Sequence, residues 1–287
     1  MKTNRRDFLK LAGTGVAGAS LSAFRVRSFD IEPAAKADRK KFSLGLASYT
    51  LREFSLAETL AIAKKLGLAR ISLKSVHLPL ESADEEIRSI ARKIRDEGLD
   101  LYACGVIYMT NEAEVRQAFH YAGVAGVPLI IGVPNHELLG LCRDLVRQSG
   151  IRLAVHNHGP EDKLYPTPRS VLGRIGEYGA GLGLCLDAGH AARSGIDPAQ
   201  AALEAGDRLF DVHIKDVTAA SAAGEPVEIG RGVVDIPRFI RALIGMNYSG
   251  TVAFEYEKDG KDPVSGLAES VGYVRGVLEM LREDWTV

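Results

Sequence analysis

Residues 152–159 read Arg-Leu-Ala-Val-His-Asn-His-Gly, a short apolar run that ends in two histidines. Three later runs end in a similar way. Residues 184–190 read Leu-Cys-Leu-Asp-Ala-Gly-His, residues 211–216 read Asp-Val-His-Ile-Lys-Asp, and residues 252–257 read Val-Ala-Phe-Glu-Tyr-Glu. Continuous apolar runs of strand length indicate strands buried on both faces, as in a parallel sheet. The four segments therefore predict parallel strands that each end in an imidazole or a carboxylate.

The same alternation of apolar runs and amphipathic segments extends from Lys41 onward. Ser55 and Glu58 have the spacing of a capping box, which opens a helix, and Gly67 ends that helix. Eight strand–helix units in about 245 residues fit a (β/α)8 barrel. A doubly wound open sheet is the alternative, but no G-x-G-x-x-G follows the first run. We predict an α/β fold, a single-domain TIM barrel over residues 41–287. Its predicted strands are Ser43–Ala47, Arg70–Leu73, Leu99–Gly105, Leu129–Val133, Arg152–His156, Gly183–Asp187, Phe210–Ile214 and Thr251–Glu255.

The first forty residues have a different character. Arg5 and Arg6 are followed by a weakly apolar stretch, residues 11–24. This order predicts a twin-arginine export signal and linker over residues 1–40, and hence a periplasmic location. Residues 35–37 (Ala-Lys-Ala) have the form of a cleavage site. The apolar stretch is short for a membrane span, so we expect no stable membrane contact once the signal is removed. The alternative is an uncleaved N-terminus, disordered or tethered to the membrane.

Charge and composition exclude several kinds of partner. The chain has 36 Lys and Arg against 37 Asp and Glu, a formal net charge of -1. Proteins that bind nucleic acid usually carry a basic excess, so we predict no nucleic-acid partner. A homo-oligomer is compatible with the sequence, which does not specify the oligomeric state.

The strand ends predict a metal site. In a TIM barrel the chemistry lies at the C-terminal ends of the strands, and four consecutive strands here end in ligand-type residues. A lone histidine at a strand end is commonly a hydrogen-bonded structural residue, and a lone aspartate can cap the next helix. One shared cation explains all four better than separate structural roles, because an uncompensated buried carboxylate is costly. Two imidazoles and two carboxylates suit a divalent transition ion or Mn²⁺ better than Ca²⁺.

These strand ends resemble the xylose-isomerase-like TIM barrels, the sugar phosphate isomerase/epimerase family. The resemblance runs from about Lys41 to the C-terminus. It rests on Asp187-x-x-His190, His213-x-Lys215-Asp216, the Gly-Arg-Gly-Val-Val-Asp segment at residues 230–235, and Glu255. It implies a divalent metal ion (Mn, Co, Zn or Mg), and it implies the ligands His156, Asp187, His213 and Glu255, with His190 and Arg231 near a small carbohydrate substrate.

One position departs from the family pattern. Family epimerases that work by two opposed carboxylates have a glutamate on strand five, where this chain has His156. Residues 156–166 resemble an exported branch in which some relatives act on 3-keto-glycosides, eliminating the aglycone across C1 and C2. The resemblance thus implies a metal-dependent enzyme that removes a proton next to a carbonyl, a lyase on 3-keto-glycosides. The alternative is an isomerase or epimerase on an unphosphorylated ketose.

Such a reaction needs a base and residues that hold the sugar. The base candidates are His158, His190 and Glu255, because a histidine titrates near neutral pH without a large shift. Lys215 is expected to orient or neutralise the enediolate, or else to form a salt bridge with Asp216 or another neighbour. Four further residues follow strands two and four, and we expect them to contact the substrate: Lys74, His77, His136 and Glu137.

Two rival functions remain open. An endonuclease-IV-like barrel would use three zinc ions on damaged DNA, which needs more ligands than the sequence offers and a cationic surface. A non-enzymatic periplasmic sugar binder would need polar and aromatic contacts, but it would not need an ionic cluster at four strand ends.

Overall fold

The computed structural model describes residues 42–283. Residues 1–41 and 284–287 lie outside this part of the chain. The twin-arginine signal and linker predicted for residues 1–40 therefore also lie outside the described residues.

Eight parallel strands close into a barrel. The barrel strands are β1 Ser43–Ala47, β2 Arg70–Leu73, β3 Asp100–Met109, β4 Leu129–Pro134, β5 Arg152–His156, β6 Leu182–Asp187, β7 Leu209–Ile214 and β8 Thr251–Phe254. They pair in the order β1-β8-β7-β6-β5-β4-β3-β2, and β1 closes the barrel against β8, where Ser43 pairs with Thr251 and Leu46 pairs with Phe254. The predicted (β/α)8 barrel is thereby confirmed, and the doubly wound alternative is wrong. Two short segments, Asp216–Val217 and Pro226–Val227, form a separate antiparallel pair.

Helices cover the outside of the barrel, and their ends follow the sequence signals. The Ser55 and Glu58 capping box forms as predicted, and Gly126 and Gly150 end their helices in the left-handed conformation. Among the described residues, no helix has the length and apolar character needed to cross a membrane. The α-helices are α1 Leu56–Lys65, α2 Asp84–Asp96, α3 Glu112–Ala125, α4 Leu139–Ser149, α5 Pro168–Ile175, α6 Ala188–Arg193, α7 Pro198–Ala205, α8 Ile236–Gly245 and α9 Val264–Glu283, with 3-10 turns at Ser48–Leu51, His136–Leu138, Gly176–Tyr178 and Gly206–Arg208.

Strand β3 runs four residues further than the sequence predicts. We expected it to end at Gly105, but the strand continues to Met109 with a register shift against β4. Gly105 has a φ of 133°, and a Cβ there would lie 2.0 Å from the carbonyl oxygen of Ile131. Only glycine fits this approach, so the chain bulges and then resumes pairing. The extension carries Tyr108 to the C-terminal end of the barrel.

Asp216 ties the end of β7 to the loop at residues 230–235. Its carboxylate accepts the backbone N–H groups of Gly230 (2.9 Å), Gly232 (3.0 Å) and Val234 (3.0 Å), as well as that of Val217 (2.9 Å). A Cβ at Gly232 would lie 2.2 Å from Asp216 Oδ1. Two motifs that are far apart in the sequence are thus parts of one structural unit.

This close approach gives a test of the fold. We expect Gly232→Ala to lower the free energy of unfolding by about 1–3 kcal/mol, because the new methyl group overpacks the Asp216 carboxylate. Gly276→Ala is the matched control, since it lies on the exposed side of α9 with no atom within 4 Å of a new Cβ. The control should gain about 0.5–1 kcal/mol from helix propensity. Urea unfolding of both variants measures the contrast, and equal effects would contradict the Asp216 contact.

Candidate metal centre

Four buried side chains converge at the C-terminal end of the barrel: His156, Asp187, His213 and Glu255. Their ligand-type atoms all lie within 4.8 Å of one another. His156 Nε2 lies 3.2 Å from His213 Nδ1 and 3.5 Å from Asp187 Oδ2, and His213 Nδ1 lies 3.1 Å from Glu255 Oε2. All four come from the consecutive strands β5–β8 or directly follow them, which is why one sequence pattern identified them together.

Short local contacts fix these side chains. Asp187 caps α6 with Oδ1, which accepts the backbone N–H of His190 at 2.8 Å, and Oδ2 is left to face the cluster. Asn157 joins the ends of β5 and β6, since its amide donates to the Asp187 carbonyl and accepts the Asp187 N–H. The Glu255 backbone N–H pairs with Ile214 at the end of β7. Asp187 and Glu255 are therefore held by contacts with the ends of neighbouring strands.

The Lys215 ammonium lies among three carboxylates. Its Nζ is 3.0 Å from Asp187 Oδ2, 3.1 Å from Glu255 Oε2 and 2.8 Å from Glu257 Oε2. Burial opposes a charge on Lys215, but the three carboxylates outweigh it and hold its pKa well above the usual value. The expected salt bridge is therefore made with these carboxylates, while Asp216 binds backbone amides.

The donor set fits a divalent ion. Two imidazole nitrogens and two carboxylate oxygens at converging positions suit a transition ion or Mn²⁺. A carboxylate oxygen has two lone pairs, so Asp187 and Glu255 can bind an ion and still accept from the Lys215 ammonium. Burial lowers the pKa of His156 to about 4, which leaves its imidazole neutral and able to act as a ligand at neutral pH.

Two further histidines flank the cluster. The His158 ring lies 4.4 Å from that of His156 and 5.7 Å from that of His190, between ring centres. Burial, helped by the neighbouring imidazoles, lowers the pKa of His158 to about 3, and burial also lowers the pKa of His190. Both are therefore unprotonated at neutral pH. His158 Nε2 lies 3.0 Å from the hydroxyl of Tyr108, whose side chain is largely exposed at the barrel mouth.

The opposite wall of the mouth carries Lys74, at the end of β2. Its ammonium donates to the Val106 carbonyl and lies 5.5 Å from the Tyr49 ring centre and 5.9 Å from that of Tyr108. Burial lowers the pKa of Lys74, against the attraction of Glu255 and Glu257. The predicted position of Lys74 at the mouth thus agrees with its surroundings, and the two tyrosines beside it were not anticipated.

Four residues expected to contact the substrate have other partners in the structure. His77 is buried between Ser48 Oγ (3.0 Å), Thr59 Oγ1 (3.1 Å) and the Phe54 carbonyl (3.1 Å). His136 Nε2 lies 3.1 Å from the Leu164 carbonyl. Glu137 is exposed and accepts from Asn135, and Arg231 is exposed and bonded to Glu269 on α9. The structure thus gives His77 and His136 protein partners and places Glu137 and Arg231 at the surface, and their substrate contacts stay a prediction.

Sequence reasoning did not single out Asp211. This carboxylate lies beneath His213 in the barrel interior, and burial raises its pKa to about 7. The sequence pattern that could have identified Asp211 is an acidic residue two positions before a histidine in an otherwise apolar strand. Side chains two residues apart in a strand point to the same face, so Asp211 had to lie beside His213.

A cavity of about 400 Å³ lies at the other end of the barrel. It is lined by residues at the N-terminal ends of the strands, among them Arg70, Arg152 and Leu209. The predicted site residues do not line it, and TIM-barrel chemistry takes place at the opposite end.

Comparison with known proteins agrees with this geometry. The sequence profile described as "Xylose isomerase-like TIM barrel" matches residues 31–277. The chain belongs to this family. No curated protein sequence matches the chain significantly.

Several solved structures resemble this chain in fold, among them an epimerase, a probable dehydratase and a protein with bound zinc. An L-ribulose 3-epimerase is 17% identical, with 85% of this chain and 97% of that one covered and a TM-score of 0.70. The probable 3-DHS dehydratase AsbF, involved in petrobactin synthesis in Bacillus anthracis, is 17% identical, with 82% and 99% covered and a TM-score of 0.66. An IOLI protein with a bound zinc atom is 17% identical, with 83% and 96% covered and a TM-score of 0.67. At these identities the likeness establishes the fold.

The charge cluster gives a stability prediction. In protein treated with EDTA, we expect Lys215→Met to lower the free energy of unfolding by about 3–5 kcal/mol, because buried carboxylates lose their cation. Lys64→Met is the control, since its ion pair with Glu97 is exposed and should contribute little. Urea unfolding measures both variants. Losses of similar size would show that Lys215 does not balance the buried charges.

The depressed pKa of His158 predicts a dependence on pH. The folded-state pKa of about 3 lies below the ordinary 6.5, so at low pH the unfolded chain binds a proton that the folded chain does not. The contribution is fully present above pH 6.5 and is lost as the pH falls toward 3. In EDTA, wild-type protein should lose on the order of 2 kcal/mol more than His158→Asn between about pH 6.5 and 4.5. Denaturant unfolding at several pH values measures this difference, and parallel curves would contradict it.

Proposed function

We propose that this protein is a divalent-metal-dependent carbohydrate enzyme that removes a proton next to a carbonyl, a lyase on 3-keto-glycosides. The observation that carries the proposal is the combination of a two-histidine, two-carboxylate cluster with two unprotonated imidazoles beside it. The cluster consists of His156, Asp187, His213 and Glu255, and the flanking imidazoles are His158 and His190. A sugar binder would not need this buried ionic arrangement, since burying charged groups is costly.

The position of His156 favours elimination over epimerisation. An epimerase must deliver or remove a proton on both faces of one carbon, and a pair of opposed carboxylates can do so. Here one member of that pair is replaced by an imidazole that is 1% exposed and directed at the other ligands. The two flanking imidazoles, His158 and His190, lie next to each other, with ring centres 5.7 Å apart. This arrangement suits the removal of a proton and the protonation of a leaving group on one face.

The residues divide the reaction between them. A divalent cation held by His156, Asp187, His213 and Glu255 would supply Lewis-acid stabilisation of the negative charge that develops on the carbonyl oxygen. His158 accepts the C2 proton, since its unprotonated Nε2 faces the mouth beside the Tyr108 hydroxyl. The lowered pKa makes this imidazole a weaker base than a free histidine, so the step depends on stabilisation of the charge that develops on the carbonyl oxygen. The C2–H electron pair forms the C1–C2 double bond, and the C1–O bond breaks. The proton taken by His158 returns to the leaving oxygen, directly or through the Tyr108 hydroxyl 3.0 Å from its Nε2, so atoms and charge balance without an oxidant or reductant.

The substrate would lie between the histidines and the tyrosine wall. Tyr49 and Tyr108 offer ring faces for the apolar side of a sugar, and the Lys74 ammonium lies close to both rings. Arg231 is already bonded to Glu269, which leaves it a poor phosphate ligand. These contacts favour an unphosphorylated carbohydrate.

An isomerase or epimerase acting on an unphosphorylated ketose is the second candidate. Glu257 favours it, since this carboxylate is 25% exposed beside Lys215 and could serve as a second base. The family fold accommodates both chemistries, because an L-ribulose 3-epimerase and a probable dehydratase share it.

We also propose that the enzyme acts in the periplasm after export by the twin-arginine route. The support is the Arg5-Arg6 pair and the weakly apolar stretch after it. This location agrees with a glycoside substrate, since phosphorylated sugars are cytoplasmic metabolites.

The first test is activity on a 3-keto-β-glucoside that carries a chromophoric aglycone. We expect Mn²⁺-dependent release of the aglycone, abolished by EDTA and reduced at least about 10³-fold in His213→Ala and Glu255→Ala, since a metal supplies several kcal/mol of transition-state stabilisation. His120→Ala is the control, because this histidine is exposed on α3. It should keep wild-type activity.

Exchange of the C2 hydrogen in D₂O, followed in the same sample, separates the alternatives. Release with exchange or with an unsaturated ketone product supports elimination. Metal-dependent exchange without release favours the isomerase or epimerase. If neither aglycone release nor exchange of the C2 hydrogen is observed, the keto-glycoside proposal is wrong.

A further inference from the structure

Asp211 is a buried carboxylate inside the barrel. It lies on β7 two residues before His213, so both side chains point to the barrel interior. Asp211 is fully buried, and among the described residues no lysine or arginine forms an ion pair with it. A buried carboxylate without a cation is costly, and an apolar residue of similar size would make a more stable core. Stability therefore does not explain why an aspartate occupies position 211.

In the part of the chain that the structure describes, Asp211 has few hydrogen-bond partners, and two buried atoms at its contact with His213 lack one. Its Oδ2 accepts from the Tyr102 hydroxyl at 3.2 Å and lies 3.7 Å from Cys185 Sγ. The same oxygen lies 3.6 Å from His213 Nε2. Neither Asp211 Oδ1 nor His213 Nε2 has a hydrogen-bond partner among the described residues, although both are buried. The 3.6 Å between Asp211 Oδ2 and His213 Nε2 is only slightly longer than a hydrogen bond, so a small side-chain shift would form one.

The two nitrogens of His213 face two different carboxylates. Nδ1 lies 3.1 Å from Glu255 Oε2, inside the four-residue cluster, and Nε2 faces Asp211. A neutral imidazole carries one proton, and only the other nitrogen can bind a metal ion. If the proton were on Nδ1, it would bond to Glu255 and block the ligand position. A carboxylate at Nε2 holds the proton on the far side of the ring.

We propose that Asp211 is a positioning residue that keeps the His213 proton on Nε2 and thereby leaves Nδ1 free to bind the metal ion. The inference rests on the proposed metal dependence. A carboxylate behind a metal-bound histidine fixes the tautomer and the ring orientation and raises the basicity of the ligand nitrogen. Asp211 thus lowers the stability of the barrel core but fixes the His213 tautomer that can bind a metal ion through Nδ1.

The test compares Asp211→Asn with Tyr102→Phe in the full-length protein. The asparagine keeps the shape of Asp211, but its amide can donate to Nε2 and so favour the proton on Nδ1. Tyr102→Phe perturbs the same carboxylate without changing what His213 faces. Calorimetric titration of EDTA-treated, dialysed protein with Mn²⁺ and, separately, Zn²⁺ should show Asp211→Asn binding about 10–100-fold more weakly. Tyr102→Phe should stay close to wild type.

Two measurements distinguish positioning from a general structural role. Nitrogen-15 NMR of the histidine rings at alkaline pH, where His213 is neutral and Asp211 is ionised, should place the His213 proton on Nε2 in the wild-type apoprotein and on Nδ1 in Asp211→Asn. The unfolding midpoint of Asp211→Asn in EDTA should equal or exceed that of wild type, because a buried charge is removed. A lowered midpoint that accompanies the weaker binding would indicate a structural role and overturn the proposal.

The remaining outcomes also decide between the two proposals. A proton on Nδ1 in the wild-type apoprotein, or unchanged metal affinity in Asp211→Asn, would overturn the role of Asp211 while leaving the metal site intact. Failure of the wild-type protein to bind either ion would instead contradict the proposed function, and the NMR result would still test the tautomer.

Discussion

The Lys215 ammonium and the three carboxylates around it are the interaction on which the barrel mouth depends. Parallel strands bring their C-terminal ends together, so Asp187, Glu255 and Glu257 lie close to one another. Like charges at such distances in a poorly hydrated interior repel strongly. Lys215 joins them from β7, the strand between the two strands that supply the carboxylates. The cation is thus part of the architecture of the site, and it must be counted in any account of the chemistry.

The charges fall into two balanced sets when a divalent ion is included. Asp187 and Glu255 balance the two positive charges of the ion, and Glu257 balances Lys215. His156, where the family epimerases have a glutamate, adds a donor without adding a charge. The complete site is therefore close to neutral before substrate enters. Negative charge that develops on a substrate would then be met by the ion and by the ammonium groups of Lys215 and Lys74.

The sequence predicted the parts of the structure that depend on local pattern. Strand ends, helix caps and the four-residue cluster follow from short segments and from the geometry of parallel strands. Contacts between distant segments were not predictable. His77 contacts Ser48 and Thr59, and Arg231 pairs with Glu269 on the last helix, and neither set of partners lies nearby in the sequence. Tyr108 was missed because a glycine after an apolar run predicts the end of a strand. In the structure Gly105 forms a bulge, and the strand continues beyond it to Tyr108.

The two halves of the barrel contribute different kinds of residue to the mouth. Strands β5–β8 and the residues that follow them supply the four-residue cluster. The opposite wall comes from the first three strands: Tyr49 follows β1, Lys74 follows β2 and Tyr108 lies near the end of β3. Changes in the first half can therefore alter the shape of the mouth without disturbing the donor atoms. A gene lineage with this division can diversify in what it recognises while its reactive centre stays constant, since the two properties are inherited on separate stretches of the chain.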